Sequence, residues 1–301
     1  MPMTTRQKEI YHGGERSIVP EWPGWSLSFQ GMVYLQHLFA YDRARAYCRE
    51  KRVLDVGCGA GFGASHLSAV ASSVLGIDTD PDAVEYARAE YSADNVRFET
   101  CPIDLLPSTR RFDVVVAFQV IEHLQVAQVE PFVEAVRAVL EADGVLLLTT
   151  PNRCRRLHFM EKPWNPYHHQ EWSRWGLKRL LRRHFAHVAV YGVSGSQLIL
   201  QAEWHRGTRV RPIEYFLLSP WVVLRGSIGG WWSSKPFSGK LLPRTRLESG
   251  LGSAFRRLVT APAIRELPWT PPRPYCLSDF RLVSPPGWQC IDLFAESRSL
   301  P

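Results

Sequence analysis

The segment VLDVGCGAGFGASHL, residues 53–67, decides the fold class of this chain. A short apolar run ends in Asp55, and glycines then occupy alternate positions: Gly57, Gly59, Gly61 and Gly63. Because glycine has no Cβ atom, its backbone turns sharply and approaches a ligand closely. A strand, a glycine-rich turn and a helix in this order predict a ligand-binding loop at the carboxyl edge of an open parallel sheet.

The glycine spacing excludes one common class of ligand. Dinucleotide-binding loops need the pattern G-x-G-x-x-G. Counting from Gly57 or from Gly59, the third glycine is replaced by Phe62 or Ala64. Asp78 ends the next apolar run, where a carboxylate accepts hydrogen bonds from both hydroxyls of a ribose. The combination predicts a nucleoside cofactor that has no pyrophosphate.

Apolar runs and helical patterns alternate from about residue 52 to 193, and one more apolar run covers residues 290–297. The alternation predicts an α/β fold in which a seven-stranded, mostly parallel sheet has helices on both faces. The predicted organisation has four parts: an N-terminal lid at 1–50, a core at 51–194, an insertion or cap at 195–285 before the last strand, and the final strand at 286–301.

Composition limits the class of protein. The chain has 301 residues, of which 45% are hydrophobic and 22% charged, which is ordinary for a globular protein. Its net charge of +7 predicts a basic surface for phosphate, an anionic membrane or nucleic acid. No apolar run reaches the roughly 18 residues of a membrane span. Six cysteines without a C-x-x-C pair, and an N-terminus without a leader pattern, predict a cytoplasmic protein with reduced thiols.

Four stretches of the chain carry a family resemblance. VLDVGCGAGFG, VLGIDTDPDAVEYAR, FDVVVAFQVIEHL and LLLTTPN resemble, in this order, the motifs of class I S-adenosylmethionine-dependent methyltransferases. The resemblance covers about residues 50–193 and implies a Rossmann-like fold with S-adenosyl-L-methionine as cofactor. GERSIVPE, QHLFAY and NPYHHQEWS are similar to a bacterial subgroup that modifies glycans and other small molecules.

The resemblance also implies roles for individual residues. The methionine part of the cofactor is expected to lie against the backbone of Gly57, Cys58, Gly59 and Gly61. Asp55 is expected to orient its amino group, Asp78 to hold its ribose, and Gln119 to line the sulfonium end. The chain departs from the family after the third strand, where Pro102 replaces an acidic residue that contacts adenine. There, the Ile103 amide is expected to meet the adenine ring and Asp104 to substitute for the missing acid.

Two histidines are candidates for the proton transfer. A hydroxyl acceptor must lose a proton, and histidine titrates near neutral pH. His168 matches the position of a histidine in the family, and His123 follows the fourth strand; each is a candidate base, with a loop-fixing hydrogen bond as the alternative role. The histidines lack the i, i+4 pairing of many metal sites, so no metal is predicted.

Three functions follow from these observations. The first is methyl transfer to a small-molecule or glycan acceptor, most readily at a hydroxyl. The second is nucleic-acid methylation, but the expected Asn/Asp-Pro-Pro-aromatic motif is absent after the fourth strand, where Gln119 and Val120 stand. The third is cofactor binding without turnover. Basic and aromatic residues are interleaved in the 195–285 segment, which favours peripheral contact with the inner membrane face and a lipid-linked glycan as acceptor. The alternative is a small cap whose tryptophans pack on the core and whose arginines are solvated.

Overall fold

The computed structural model describes residues 29–156, 163, 165, 167–210, 271, 273–287 and 290–299. Within these residues, strands form a single mixed sheet. The strands are β1 (Arg52–Val56), β2 (Ser73–Asp78), β3 (Val96–Thr100), β4 (Phe112–Phe118), β5 (Leu140–Pro151), β6 (His187–Gly195), β7 (Phe280–Val283) and β8 (Asp292–Arg298).

Helices connect most of the strands. They are α1 (Phe29–Cys48), α2 (Phe62–Ser68), α3 (Pro81–Tyr91), α4 (Val126–Val139), α5 (Arg153–Arg156), α6 (Arg174–Leu181) and α7 (Gln197–Val210). Short 3-10 turns follow β3 and β4, at Ile103–Leu105 and Ile121–His123. Helix α3 begins as its sequence indicates, since the Asp80 side chain accepts from two amides of the first turn and Pro81 supplies a preset φ.

The strand order is β3-β2-β1-β4-β5-β8-β6-β7. Strands β1 to β5 pair in parallel, whereas β8 runs antiparallel to both of its neighbours. The chain moves outward from β1 to β3 and returns to the other side of β1 at β4. Ligands of open α/β sheets bind at this reversal, beyond the carboxyl ends of the strands. The mostly parallel α/β sheet is therefore confirmed.

Across the described residues the sheet has eight strands, one more than the seven predicted. The additional strand is β7, which pairs with β6 at the edge of the sheet. It has four residues, and the charged Arg281 interrupts its apolar residues. A run this short, between prolines, gives almost no periodic signal, which is why the sequence pattern did not separate it from the predicted cap.

Alternate residues of the central strands pack toward opposite faces of the sheet. Val53 and Val114 belong to one buried cluster, which also includes residues of α1, α2, α3 and α7. Leu54 and Val115 belong to a second cluster, with residues of α4 and α6. Because side chains of a strand alternate with a period of two, both faces of these strands need an apolar cover. The helices on both faces provide it.

Elements that border the predicted core also pack against it. Met32 and Ala44 of α1 are fully buried in the first cluster, and Ile199 of α7 is buried with them. The segment predicted as a cap begins and ends in described structure, with α7 on one side and β7 on the other. Its central residues 211–270, and the predicted membrane contact, lie outside the described residues. Across the part of the chain that is described, every helix is too short or too polar to span a bilayer.

Candidate functional site

The loop between β1 and α2 is shaped by three glycines in the left-handed region. Gly57, Gly59 and Gly61 have φ angles of 73°, 51° and 88°. The amides of Gly57 and Cys58 both donate to the Ile77 carbonyl, at 2.8 and 3.0 Å, which ties the loop to the end of β2. At such angles the Cβ atom of any other residue would be too close to the backbone, which raises the conformational energy. The sequence therefore specifies the shape of this loop locally.

Close packing is a second reason for glycine in this loop. A Cβ atom on Gly61 would lie 2.6 Å from the Cβ of Ala87, and one on Gly57 would lie 2.6 Å from Cγ2 of Val120. Val120 directly precedes the 3-10 turn Ile121–His123. The glycine loop is thus in contact with the segment that follows β4.

Replacing Gly61 with alanine should destabilise the protein by about 2 kcal/mol or more, since a left-handed φ alone costs roughly 1–2 kcal/mol for an L-residue and the new methyl group meets Ala87. Urea denaturation measures the change. Gly176 in α6 is the matched control, because a Cβ there makes only ordinary contact, 3.4 Å from Oγ of Ser173. Equal losses of stability in the two variants would contradict the argument from close packing.

Asp78 lies at the end of β2 and is held by the backbone around it. Its Oδ2 accepts from the Gly59 amide at 2.8 Å, and its Oδ1 accepts from the Asp80 amide at 3.0 Å. Each carboxylate oxygen has about two acceptor positions, so both retain capacity for a further donor. The side chain is only partly buried. A carboxylate fixed in this way is suited to binding a pair of hydroxyls.

Asp55, at the end of β1, is completely buried below the loop. The hydroxyl of Tyr41 lies 3.2 and 3.1 Å from its two carboxylate oxygens. Burial raises the pKa of Asp55 to about 7, the hydrogen bond from Tyr41 lowers it, and the charge of Asp78 raises it. Asp55 is therefore poised to ionise when a positive charge arrives. The sequence analysis did not identify Tyr41 as its partner.

The remaining predicted cofactor residues differ in their surroundings. Cys58 is buried in the first apolar cluster, and burial raises the pKa of its thiol, so its side chain contributes to packing. The turn after β3 buries Ile103 and leaves Asp104 exposed. The amide of Cys101, just before this turn, donates to the Asp78 carbonyl at 3.0 Å. The structure thereby places the turn beside β2.

Gln119 follows β4 with a φ of 57°, which is unusual for a residue other than glycine. Its amide donates to the Thr149 carbonyl at 3.0 Å, and its side chain donates to Oγ1 of Thr149 and Oδ2 of Asp292, both at 3.2 Å. Gln36 of α1 also donates to Asp292, which is buried. These contacts hold Gln119 in a strained conformation at the carboxyl edge of the sheet.

Asp292 and Gln36 were missed by the sequence analysis. Asp292 is the first residue of β8. Because β8 runs antiparallel to β5 and β6, its first residue lies beside the ends of these two strands. Asp292 is accordingly paired with Pro151, the last residue of β5. An acidic residue at the start of a buried strand was visible in the sequence. Its location at the site required the direction of β8, which apolar periodicity does not specify.

The two candidate histidines lie together, in segments distant in sequence. Their ring centroids are 4.9 Å apart and the ring planes are inclined by 83°. The 3-10 turn with His123 is tied to the loop with His168 because the His169 amide donates to the Glu122 carbonyl at 2.8 Å. Nδ1 of His123 lies 3.1 Å from the Tyr167 carbonyl. Nδ1 of His168 lies 3.0 Å from a carboxylate oxygen of Glu171.

Glu122 is the third member of this group and is fully buried. Oγ1 of Thr150 donates to its Oε2 at 3.0 Å, whereas its Oε1 has no hydrogen-bond partner among the described residues. Burial raises the pKa of Glu122 to about 8, against the opposing effect of His168. The sequence analysis did not assign a chemical role to this residue.

Comparison with known proteins places this site in context. A family described as a methyltransferase domain matches residues 49–199. A "Probable S-adenosylmethionine-dependent methyltransferase" of Mycolicibacterium smegmatis is 38% identical over 169 residues, which are 56% of this chain and 62% of that protein. The chain therefore spans less than two thirds of that relative's length.

Two further proteins are similar over shorter or more divergent regions. A ubiquinone biosynthesis O-methyltransferase of Bradyrhizobium diazoefficiens is 34% identical over 106 residues, 34% of this chain and 40% of that protein. The solved complex of DhpI with S-adenosylhomocysteine has 20% identity and a TM-score of 0.44, covering 54% of this chain and 80% of that chain.

Proposed function

Since the chain belongs to the class I S-adenosylmethionine-dependent methyltransferases, whose domain covers residues 49–199, we propose that it transfers a methyl group to a hydroxyl of a small-molecule or glycan acceptor. The cofactor of the family is S-adenosyl-L-methionine. In the transfer, an acceptor oxygen forms a bond to the methyl carbon while the carbon–sulfur bond breaks. The electron pair of that bond passes to sulfur, which leaves as the neutral thioether of S-adenosylhomocysteine, and the hydroxyl proton must go to a base.

The observation that carries the proposal is the arrangement of Asp55 and Asp78 around the left-handed glycine loop. Asp78 would accept from the ribose hydroxyls, because its oxygens are oriented by two backbone amides and retain acceptor capacity. Asp55 would receive the cofactor's amino group, either directly or through a water. The backbone of Gly57, Cys58, Gly59 and Gly61 would line the methionine part. Ile103 and Asp104 would face the adenine, and Gln119 the sulfonium end.

The proposed role of Asp55 predicts that cofactor affinity depends on pH. In the free protein its pKa is about 7, and a bound ammonium group favours the ionised form. Binding then releases a proton below pH 7, so affinity should rise up to tenfold per pH unit toward pH 7 and level off above it. Calorimetry with S-adenosylhomocysteine in buffers of different ionisation enthalpy measures the affinity and the number of protons released on binding.

Two variants isolate this group. Tyr41→Phe removes a hydrogen bond that favours the ionised carboxylate, so the midpoint of the profile should move to higher pH. Asp55→Asn has no titrating carboxyl group, so its weaker binding should change little with pH. A wild-type profile that matches the Asp55→Asn profile would show that another group contacts the amino group of the cofactor.

For the proton transfer we assign different roles to the two histidines. A carbonyl oxygen only accepts, so Nδ1 of His123 donates to Tyr167 and its Nε2 carries a lone pair. His123 is partly exposed, so this lone pair is suited to receive the hydroxyl proton. His168 is buried, and its ring is held on both nitrogens by Glu171 and Asn165. Its role is to position His123 and the loop.

Several features support the choice of acceptor. The Bradyrhizobium relative is named for O-methylation, which favours a hydroxyl. The net charge of +7 is compatible with an acceptor that carries phosphate, such as a lipid-linked glycan at the cytoplasmic membrane face. The same positive charge also suits nucleic acid, so nucleic-acid methylation is one alternative. Pro102 stands where the family has an acidic residue that contacts adenine, so cofactor binding without turnover is the other alternative.

The decisive experiment supplies the purified chain with S-adenosylmethionine bearing an isotopically labelled methyl group. Polar metabolites, extracted lipids and RNA from a bacterial lysate are offered separately, and mass spectrometry then locates the label. Label in a sugar or lipid-linked fraction supports the proposal, whereas label in RNA supports the alternative. Tight binding of S-adenosylhomocysteine with no labelled product in any fraction would contradict catalysis.

A further inference from the structure

Three potential ligands of a metal ion converge next to the proposed cofactor site. Glu122, His123 and His168 each offer one ligand atom, and these atoms all lie within 4.8 Å of one another. Two ligands come from the turn after β4, and the third comes from the loop after β5. The hydrogen bond from the His169 amide to the Glu122 carbonyl holds these two segments together.

Hydrogen bonds set the tautomers of both histidines. Nδ1 of His123 faces the Tyr167 carbonyl, and Nδ1 of His168 faces a carboxylate oxygen of Glu171, so in each ring Nδ1 carries the proton. The lone pairs that remain are on the Nε2 atoms. Metal-binding histidines show the same pattern, because an oxygen acceptor on one ring nitrogen orients the other nitrogen toward the metal.

Asn165 completes the surroundings of His168. Its Oδ1 accepts from the Tyr167 amide at 3.0 Å, which assigns Nδ2 as the atom that lies 2.9 Å from Nε2 of His168. Nε2 of His168 is therefore an acceptor in this structure, as a metal ligand must be. Coordination would replace the amide donor with the ion, and the carboxamide of Asn165 would rotate.

The carboxylate of Glu122 supplies the charge that such an ion needs. Glu122 is fully buried, and only its Oε2 is bonded, to Thr150. Its Oε1 has no hydrogen-bond partner among the described residues. An unsatisfied buried carboxylate oxygen is costly, and a cation is the ligand that would compensate for it.

We infer that Glu122, His123 and His168 bind a divalent first-row metal ion such as Zn²⁺, Co²⁺ or Mn²⁺. Two imidazole nitrogens and one carboxylate oxygen suit these ions better than Mg²⁺ or Ca²⁺, which prefer oxygen ligands alone. Three protein ligands leave coordination positions open, as in catalytic metal sites. From the sequence no metal was predicted, because the histidines lack the i, i+4 pairing of many metal sites. The three residues are brought together by the fold, where the turn after β4 meets the loop after β5.

The inferred ion gives the proposed reaction a second way to activate its acceptor, and this part of the inference rests on the proposed function. Val120, which precedes the turn with Glu122 and His123, packs against Gly57 of the cofactor loop. An acceptor hydroxyl bound to the ion would thus lie on the cofactor side of the cluster. Coordination lowers the pKa of that hydroxyl, and its proton passes to solvent before the oxygen attacks the methyl carbon. His123 would then be a metal ligand in place of a base.

Metal binding is tested on the full chain without any acceptor. The chain is freed of metal with a chelator and dialysed against Co²⁺ or Zn²⁺, and elemental mass spectrometry counts the bound ions. We expect one ion per chain, with visible Co²⁺ absorption typical of nitrogen and oxygen ligands. Glu122→Gln, His123→Gln and His168→Gln should each weaken binding by roughly tenfold or more, and Glu171→Gln by about tenfold through the orientation of His168.

The matched control is His169→Gln, since His169 lies in the same loop with an exposed side chain. It should bind the ion within about twofold of wild type. Binding of S-adenosylhomocysteine, measured in parallel, shows whether each variant is folded and tests the proposed function separately. If the wild-type chain bound neither ion, or if the Glu122→Gln and His123→Gln variants bound it as tightly as wild type, the inference would be overturned and the cofactor assignment would stay intact.

Discussion

Replacing Asp78 with alanine is expected to weaken binding of S-adenosylhomocysteine by at least about a hundredfold. Two hydrogen bonds from the ribose hydroxyls to a charged acceptor would be lost, each worth about 1.5–3 kcal/mol. The variant also removes the acceptor of the Gly59 and Asp80 amides, so the glycine loop and the start of α3 each lose one restraint. Isothermal calorimetry measures the affinity, and circular dichroism checks that the variant is folded.

Asp82→Ala is the control for this experiment. Asp82 is an exposed residue in the first turn of α3, close to Asp78 in sequence and similar in charge. Its loss should change cofactor affinity by no more than about twofold, because exposed charges interact weakly through solvent. If a folded Asp78→Ala variant retained wild-type affinity, the proposed ribose contact would be wrong.

Replacing His123 with alanine is expected to lower turnover by about 10²–10⁴-fold, which is the usual contribution of a positioned acid or base. Affinity for S-adenosylhomocysteine should stay nearly constant, since the proposed partner of His123 is the acceptor. The assay uses the acceptor that the labelling experiment identifies.

His169→Gln again serves as control, with turnover near that of wild type. The metal experiment separates two explanations of a large effect at His123. If the wild-type chain binds an ion and the His123→Ala variant loses both the ion and turnover, His123 acts as a metal ligand. If the wild-type chain binds no ion and the variant still loses turnover, His123 acts as a base. Full activity in a folded His123→Ala variant would contradict both.

Residues close together in the sequence were predicted well. The local sequence from Val53 to Asp78 specifies the structure of this segment: an apolar strand, glycines at left-handed positions and an acidic residue at the end of the next strand. Backbone conformation at Gly57, Gly59 and Gly61 depends on the absence of a Cβ atom, which is a property of each residue alone. The parallel sheet followed for the same reason, because short apolar runs that alternate with helical patterns indicate parallel strands.

The contacts between residues that are distant in the sequence were decided by the tertiary structure. Tyr41 meets Asp55, Asp292 meets Gln119, and His168 meets Glu122 and His123 only once the strand order and the direction of β8 are fixed. Their polar contacts form because buried charges and amides need partners, whatever their separation in the chain. Sequence alone thus determined the shape of the glycine loop, by local backbone chemistry. The cluster beside it was decided by the fold, because the turn after β4 and the loop after β5 meet at one edge of the sheet.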